Sequence, residues 1–293
     1  MERIVLAYDG SPAAVSALSW TATRATRGPT SVDVVVDIPP WTKDRVPGTE
    51  RFIDPEVVLR DRLPGLEVGL HRLDGEVTES IARAANNADL VVVGINPGHP
   101  IRAAATGWIP LGLSTLAAAP VCMIPVGWTE GNDPVTVGIA DDYSSDAALR
   151  FAVAEATSMA TGLRLVHSWL MPGPTFDTPA ALTLRPEAVI DDHRHRLDAA
   201  VQLVREEVPT QLIQSELIRD SRSAALLRFV SRSSLLVMGT HRRGALIGSL
   251  LGSVAQEILW RAECPICVVP TERTRIASVG VSAASPVSVD SGE

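Results

Sequence analysis

The chain has 293 residues, 46% of them hydrophobic, and a formal net charge of -8. That length is about twice one ordinary domain, and the apolar content suffices for two cores. The acidic balance, with no Lys/Arg-rich run and Lys43 as the only lysine, argues against a nucleic-acid partner, and no apolar stretch reaches the length of a membrane span.

Met1-Glu2-Arg3 leads directly into an apolar run without a signal segment, so a cytoplasmic location is the expectation. Arg3 to Tyr8 reads as a buried strand, Asp9-Gly10-Ser11-Pro12 as a capping turn and Ala13 to Ala25 as a helix. Ser31 to Ile38 is a second strand, followed by a broken stretch from Pro39 to Pro64. Glu67 to Leu73 is a third strand, Val77 to Asn86 a helix, Leu90 to Gly94 a fourth strand, Leu111 to Ala118 a helix and Val121 to Val126 a fifth strand. Gly127 to Pro134 is polar and turn-rich, which suits a linker. The order then repeats. Strands are expected at Val135 to Ala140, Leu163 to Trp169, Gln211 to Ile218, Leu235 to Gly239 and Ile266 to Val269. Helices are expected at Ser144 to Ala160, about Pro186 to Val208, Ser221 to Ser231 and Gly252 to Ala262.

The repetition is a tandem duplication. Gly94 and Gly239, Gly107 and Gly252, and Pro120 and Pro265 are each 145 residues apart. Asp9 and Ala140 are 131 apart, so the second copy carries 14 extra residues, most of them around Met171 to Arg196. Domains of 1–127 and 134–271 follow, with a pattern-free, disordered tail at 272–293. Alternating strands and helices call for a parallel sheet in each copy, because a parallel neighbour is reached only by crossing a face of the sheet.

In such a sheet the ligand crevice lies beyond the carboxyl ends of the strands, where the strand order reverses. The loop from Met238-Gly239 through Arg242 and Arg243 to Gly252-Ser253-Val254 is rich in glycine and ends in a helix, which is a phosphate-cradle composition. Glycines between a strand and a helix also serve tight turns with no ligand at all. Asp141-Asp142 can bind a cation or cap a helix, and capping is the stronger reading. Asp191-Asp192-His193-Arg194-His195 has a metal-like composition, but residues two apart do not share a helix face, so it reads as a solvated helix end. Cys122, Cys264 and Cys267 fall in or beside apolar strands, and Cys264-Pro265-Ile266-Cys267 sits within a strand run, so they read as buried hydrophobes rather than a redox or zinc pair. No metal site and no catalytic residue is assigned. No Gly-x-x-x-x-Gly-Lys-Ser/Thr segment exists, and no Gly-x-Gly-x-x-Gly follows the first strand of either copy, which excludes a Walker-type NTPase and argues against a dinucleotide-binding dehydrogenase.

The segment ending in Tyr8-Asp9-Gly10-Ser11-Pro12, the strand end Leu165-Val166-His167-Ser168-Trp169 and the Gly239…Gly252-Ser253-Val254…Ala262-Glu263-Cys264-Pro265 block together resemble the universal stress protein family, over nearly the whole chain as two copies. The resemblance implies two tandem flavodoxin-like, adenine-alpha-hydrolase-like α/β domains, each doubly wound on a five-stranded parallel sheet. It also implies that the fifth strands pair across the two domains, giving an intramolecular pseudo-dimer. ATP-binding members of the family carry Gly-x-x-Gly-x9-Gly-Ser/Thr after the fourth strand and an acidic residue after the first. By that resemblance the candidate nucleotide contacts are Ser168, Met238, Gly239, Arg242, Gly252, Ser253 and Val254 in the second copy. In the first copy they are Asp9, Gly10, Ile38, Gly94 and Gly107.

Neither copy keeps the full motif. The second has Arg242 at the middle glycine and Ala140 at the acidic position; the first has Pro97 at the middle glycine and Trp108 at the Ser/Thr. Pro97 has no N–H to offer a phosphate, and the Ala103-Ala104-Ala105 run has no side-chain donors. The related hydrolases need a Ser-Gly-Gly-type loop, which Asp9-Gly10-Ser11-Pro12 is not. The expectation is therefore a non-enzymatic stress-response regulatory or binding protein with degraded nucleotide sites, no cofactor and an unidentified regulatory protein partner, a homodimer being a further form of assembly. The alternatives are an ATP-binding switch using the second domain and a slow nucleotide hydrolase.

Overall fold

The computed structural model describes residues 1–36, 53–72, 76–98, 109–142, 145–171, 185–240 and 253–271. The first half supplies β1 (Glu2–Tyr8), α1 (Pro12–Ala25), β2 (Thr30–Val36), α2 (Pro55–Arg62), β3 (Glu67–Arg72), α3 (Val77–Ala84), β4 (Leu90–Ile95), α4 (Ile109–Leu116) and β5 (Val121–Pro125). The second supplies β6 (Val135–Ile139), α5 (Asp146–Ser158), β7 (Leu163–Trp169), α6 (Pro186–Glu207), β8 (Ile213–Arg219), α7 (Arg222–Leu227), β9 (Leu235–Thr240), α8 (Ser253–Trp260) and β10 (Ile266–Pro270).

All ten strands form one sheet in the order β3-β2-β1-β4-β5-β10-β9-β6-β7-β8. Pairing is parallel within each half. The halves meet antiparallel, with Ile266 opposite Met123, Cys267 opposite Cys122 and Val268 opposite Val121. This junction satisfies the backbone groups of two strands that would otherwise be apolar sheet edges. The strand order reverses between β1 and β4 in the first half and between β6 and β9 in the second, so each half has its own crevice.

Helices cover both faces, which is why the central strands read as unbroken apolar runs rather than alternating ones. One face buries Leu6, Leu18, Cys122, Val137, Ala152 and Val204 among others, beneath α1, α2, α5 and α6. The other buries Val5, Ile81, Met123, Leu226, Ile258 and Ile266, beneath α3, α4, α7 and α8. Cys122, Cys264 and Cys267 are free and buried, and burial pushes the Cys264 thiol up to about 12.

Three elements differ from the sequence expectation. The stretch from Pro39 to Pro64 contains α2, where Asp54 caps the N–H groups of Glu56 and Val57, Pro55 takes the first turn and Leu59 is buried. Pro55 starts the helix, where its missing N–H costs nothing. The helix expected over Ser221 to Ser231 ends at Leu227, and beyond Phe229, which is buried at a φ of -117°, a 3-10 turn follows at Val230–Arg232. The helix expected to end at Asn86 closes at Ala84 and tightens into a 3-10 turn at Ala85–Asn87. The tail at 272–293 lies outside the described residues.

Candidate functional site

In the first half, β1 delivers Tyr8 and Asp9 to the crevice. Asp9 accepts a hydrogen bond from the Ser11 N–H at 2.9 Å, and Ser11 in turn caps α1 by accepting from the Ala14 N–H at 3.1 Å. Gly10 sits at a φ of 76°, where a side chain would be strained. One oxygen of the exposed Asp9 carboxylate thus takes part in the turn that starts the helix. Gly94 lies in β4 beside it, and a Cβ there would stand 2.3 Å from the carbonyl carbon and oxygen of Ala13. The absence of a side chain at Gly94 is therefore required for α1 to cross β4. The Tyr8 hydroxyl donates to the Ile53 carbonyl at 2.7 Å, tying the approach to α2 over the end of β1. Ile38 and Gly107 lie outside the described residues.

In the second half, Met238 is buried and Gly239 half-buried at the end of β9, paired with Val268 and Val269 of β10. Ser168 is half-buried in β7 opposite Ile218, on the far side of β6 from β9. Ser253 is the first residue of α8, and Val254 behind it packs against the core. Arg242 and Gly252 lie outside the described residues.

Beyond the carboxyl ends of β6 and β7, next to that half's crevice, stands a constellation that none of those candidates includes. After β6, the Ala140 N–H donates to the Ser145 hydroxyl at 3.2 Å, and Asp141 follows. Arg222, at the start of α7, binds Asp141 Oδ2 at 2.7 Å, and Arg196 of α6 donates to the Asp141 carbonyl. His167 on β7 is fully buried and its Nδ1 donates to the Ile139 carbonyl at 2.9 Å. Its Nε2 lies 2.8 Å from Nδ1 of His193 on α6. Both ring nitrogens face Asp141 Oδ1, at 3.7 Å and 3.4 Å. Burial holds the His167 pKa below its ordinary value, against the opposing pull of the Ile139 carbonyl and Asp141. The ring is therefore kept neutral.

The reading of Asp191 to His195 as a solvated helix end holds for His195, which is exposed, but not for His193. His193 lies four residues before Leu197 and continues the buried stripe of Leu197, Ala200, Val201 and Val204 on α6. That spacing was the available signal, together with the alternation Leu163, Leu165, His167 that turns a histidine into the same core.

The sequence profile of the universal stress protein family matches residues 1–121 and again residues 131–270. Universal stress protein Rv1996 of Mycobacterium tuberculosis is 24% identical over 299 residues, spanning 90% of this chain and 94% of its own length. Universal stress protein Rv2005c of the same organism is 26% identical over 294 residues, spanning 90% and 96%. The crystal structure of a universal stress protein from Archaeoglobus fulgidus DSM 4304 superposes with a TM-score of 0.62 at 15% identity, covering 92% of this chain and 98% of that one, and so shares the fold. With two matches that together span both crevices, the chain belongs to the universal stress protein family as a tandem of two of its domains.

Proposed function

We propose that this chain is a non-catalytic stress-response binding protein in which neither nucleotide crevice keeps a full set of contacts, and which acts through a protein partner. The observation that carries the reading is the engagement of the crevice carboxylates by the chain itself. Asp141, the nearest acid to the vacated position at Ala140, has Oδ2 bound to Arg222 at 2.7 Å. In the first half Asp9 is committed to the Ser11 turn, and Gly94 has a packing reason to be glycine. The losses in the motif point the same way: Pro97 and Trp108 in one copy, Ala140 and Arg242 in the other. The sequence carries neither a Walker-type lysine loop nor a Ser-Gly-Gly pyrophosphate loop after the first strand of the first copy, and this supports a non-enzymatic role.

A second reading, an ATP-dependent switch in the second domain, is favoured by one feature: α8 begins at Ser253, directly after Gly252, and a helix start of that kind suits an anion. Analysis of the nucleotide released when the purified protein is denatured separates the two. The proposed reading expects none; near-stoichiometric ATP, lost in Gly252→Trp but retained in Gly107→Trp, would establish the switch instead.

A further inference from the structure

We infer that Asp141, His167 and His193 form a binding site for a divalent transition-metal ion of the zinc class. The inference does not depend on whether ATP binds. Among the described residues these three bring one ligand atom each within 4.8 Å of the others. The individual separations are 2.8 Å between His167 Nε2 and His193 Nδ1, 3.4 Å between His193 Nδ1 and Asp141 Oδ1, and 3.7 Å between His167 Nε2 and Asp141 Oδ1. Two ligands of a tetrahedral ion bound at about 2.0–2.1 Å stand about 3.3–3.4 Å apart, so the three atoms already outline one face of such a tetrahedron.

The surroundings prepare each ligand. The hydrogen bond from His167 Nδ1 to the Ile139 carbonyl fixes the tautomer and turns the Nε2 lone pair towards the cluster. Arg222 takes Asp141 Oδ2, leaving Oδ1 buried and without a hydrogen-bond partner. A buried carboxylate oxygen with no donor is costly unless a cation completes it. The second nearby guanidinium, that of Arg196, is paired with Asp192 at 3.1 Å, which offsets its positive charge beside the cluster. Asp141, with 42% of its side chain exposed, provides the open side for entry and for a water or an exogenous ligand.

Without an ion, His167 Nε2 can only accept, so the proton between the rings belongs to His193 Nδ1. Binding transfers that role. A neutral His193 moves its proton to Nε2 and an imidazolium releases one to solvent, while the Nδ1 lone pair forms the new bond. Two nitrogens and one carboxylate oxygen select a borderline ion such as Zn²⁺ over Mg²⁺ or Ca²⁺, which prefer all-oxygen shells.

The test is titration of the full chain, stripped with a chelator, using Zn²⁺ followed by calorimetry and Co²⁺ followed by visible absorption. The expected result is one ion per chain, a tetrahedral-type Co²⁺ spectrum without a thiolate charge-transfer band, and affinity at least ~10-fold weaker in His193→Gln and in Asp141→Asn. His195→Gln, on the solvent face of α6, leaves binding unchanged. Circular dichroism and thermal melting establish that each variant is folded, and the Co²⁺ spectrum of the unmodified chain decides the matter if one is not. No saturable Zn²⁺ binding, a thiolate band, or binding unaltered by both ligand substitutions would overturn the assignment.

Discussion

Arg24 of α1 and Glu155 of α5 clasp each other across the junction of the two halves, with Nη1 2.5 Å from Oε2 and Nη2 2.6 Å from Oε1. The side chains are 11% and 3% exposed, and Glu2 accepts from the same guanidinium through Nε and Nη2. A bidentate fork of this kind fixes the angle between the helices as well as joining them. Arg24→Met leaves Glu155 buried without its partner and is expected to cost about 3–5 kcal/mol in urea denaturation. Arg24→Met combined with Glu155→Leu is expected to recover only part of that loss, because Arg27, 4.0 Å from Glu155, and Glu2 each lose a counter-charge in the double variant. A single-variant loss no larger than the ~0.5 kcal/mol of an ordinary surface change would deny the pair a structural role.

The glycine in β4 separates packing from ligand binding. Gly94→Ala drives a methyl group into the backbone of Ala13 and Ala14, which cannot rotate aside, and is expected to destabilise by at least ~2 kcal/mol. Gly28→Ala, with nothing within 4 Å of the added carbon, is expected to stay within ~0.5 kcal/mol of the parent. Chemical denaturation of both variants checks this, and an unaltered Gly94→Ala protein would mean that the glycine is retained for another reason.

The cysteines are expected to be inert in the folded chain. Cys122 and Cys267 are fully buried opposite each other at the junction, and burial raises the Cys264 thiol to about 12 and that of Cys267 well above its ordinary value. The thiolate is the reactive form, so at neutral pH a thiol-specific disulfide reagent should titrate none of the three until denaturant is added. Rapid labelling of Cys122 or Cys267 in the native protein would show that the junction opens.

The junction also makes each half incomplete. Val121, Cys122 and Met123 are covered by Val268, Cys267 and Ile266 of the other domain. A covalent link between the domains gives a high effective concentration, of order millimolar, for this pairing. Residues 1–127 expressed alone are expected to form a homodimer through β5 or to aggregate. A soluble, strictly monomeric fragment at high concentration in analytical ultracentrifugation would contradict that expectation.

Most of the fold was legible because duplication gives each strand a second witness. The apolar run at Leu90 is repeated at Leu235, and the fifth strands repeat around Pro120 and Pro265. What escaped were elements whose cause is tertiary or local capping chemistry. The helix at Pro55 lies in a stretch that reads as broken, and it is set by the Asp54 cap and the burial of Leu59. The histidine cluster escaped because its members come from β7, α6 and the loop after β6, and only the topology brings them together. Asp9 and Gly94 match a family motif in the sequence, yet their contacts in the fold are a turn and a helix crossing. A motif residue records the packing it inherited as well as any ligand it once touched.

The measurement that bears most directly on the account is calorimetric titration of ATP into nucleotide-free, full-length protein. With Asp141 Oδ2 bound to Arg222, and with Pro97, Trp108, Ala140 and Arg242 at the motif positions, the expected outcome is no saturable heat at micromolar ATP. Saturable binding at micromolar or tighter affinity, at one or both sites per chain, would contradict it.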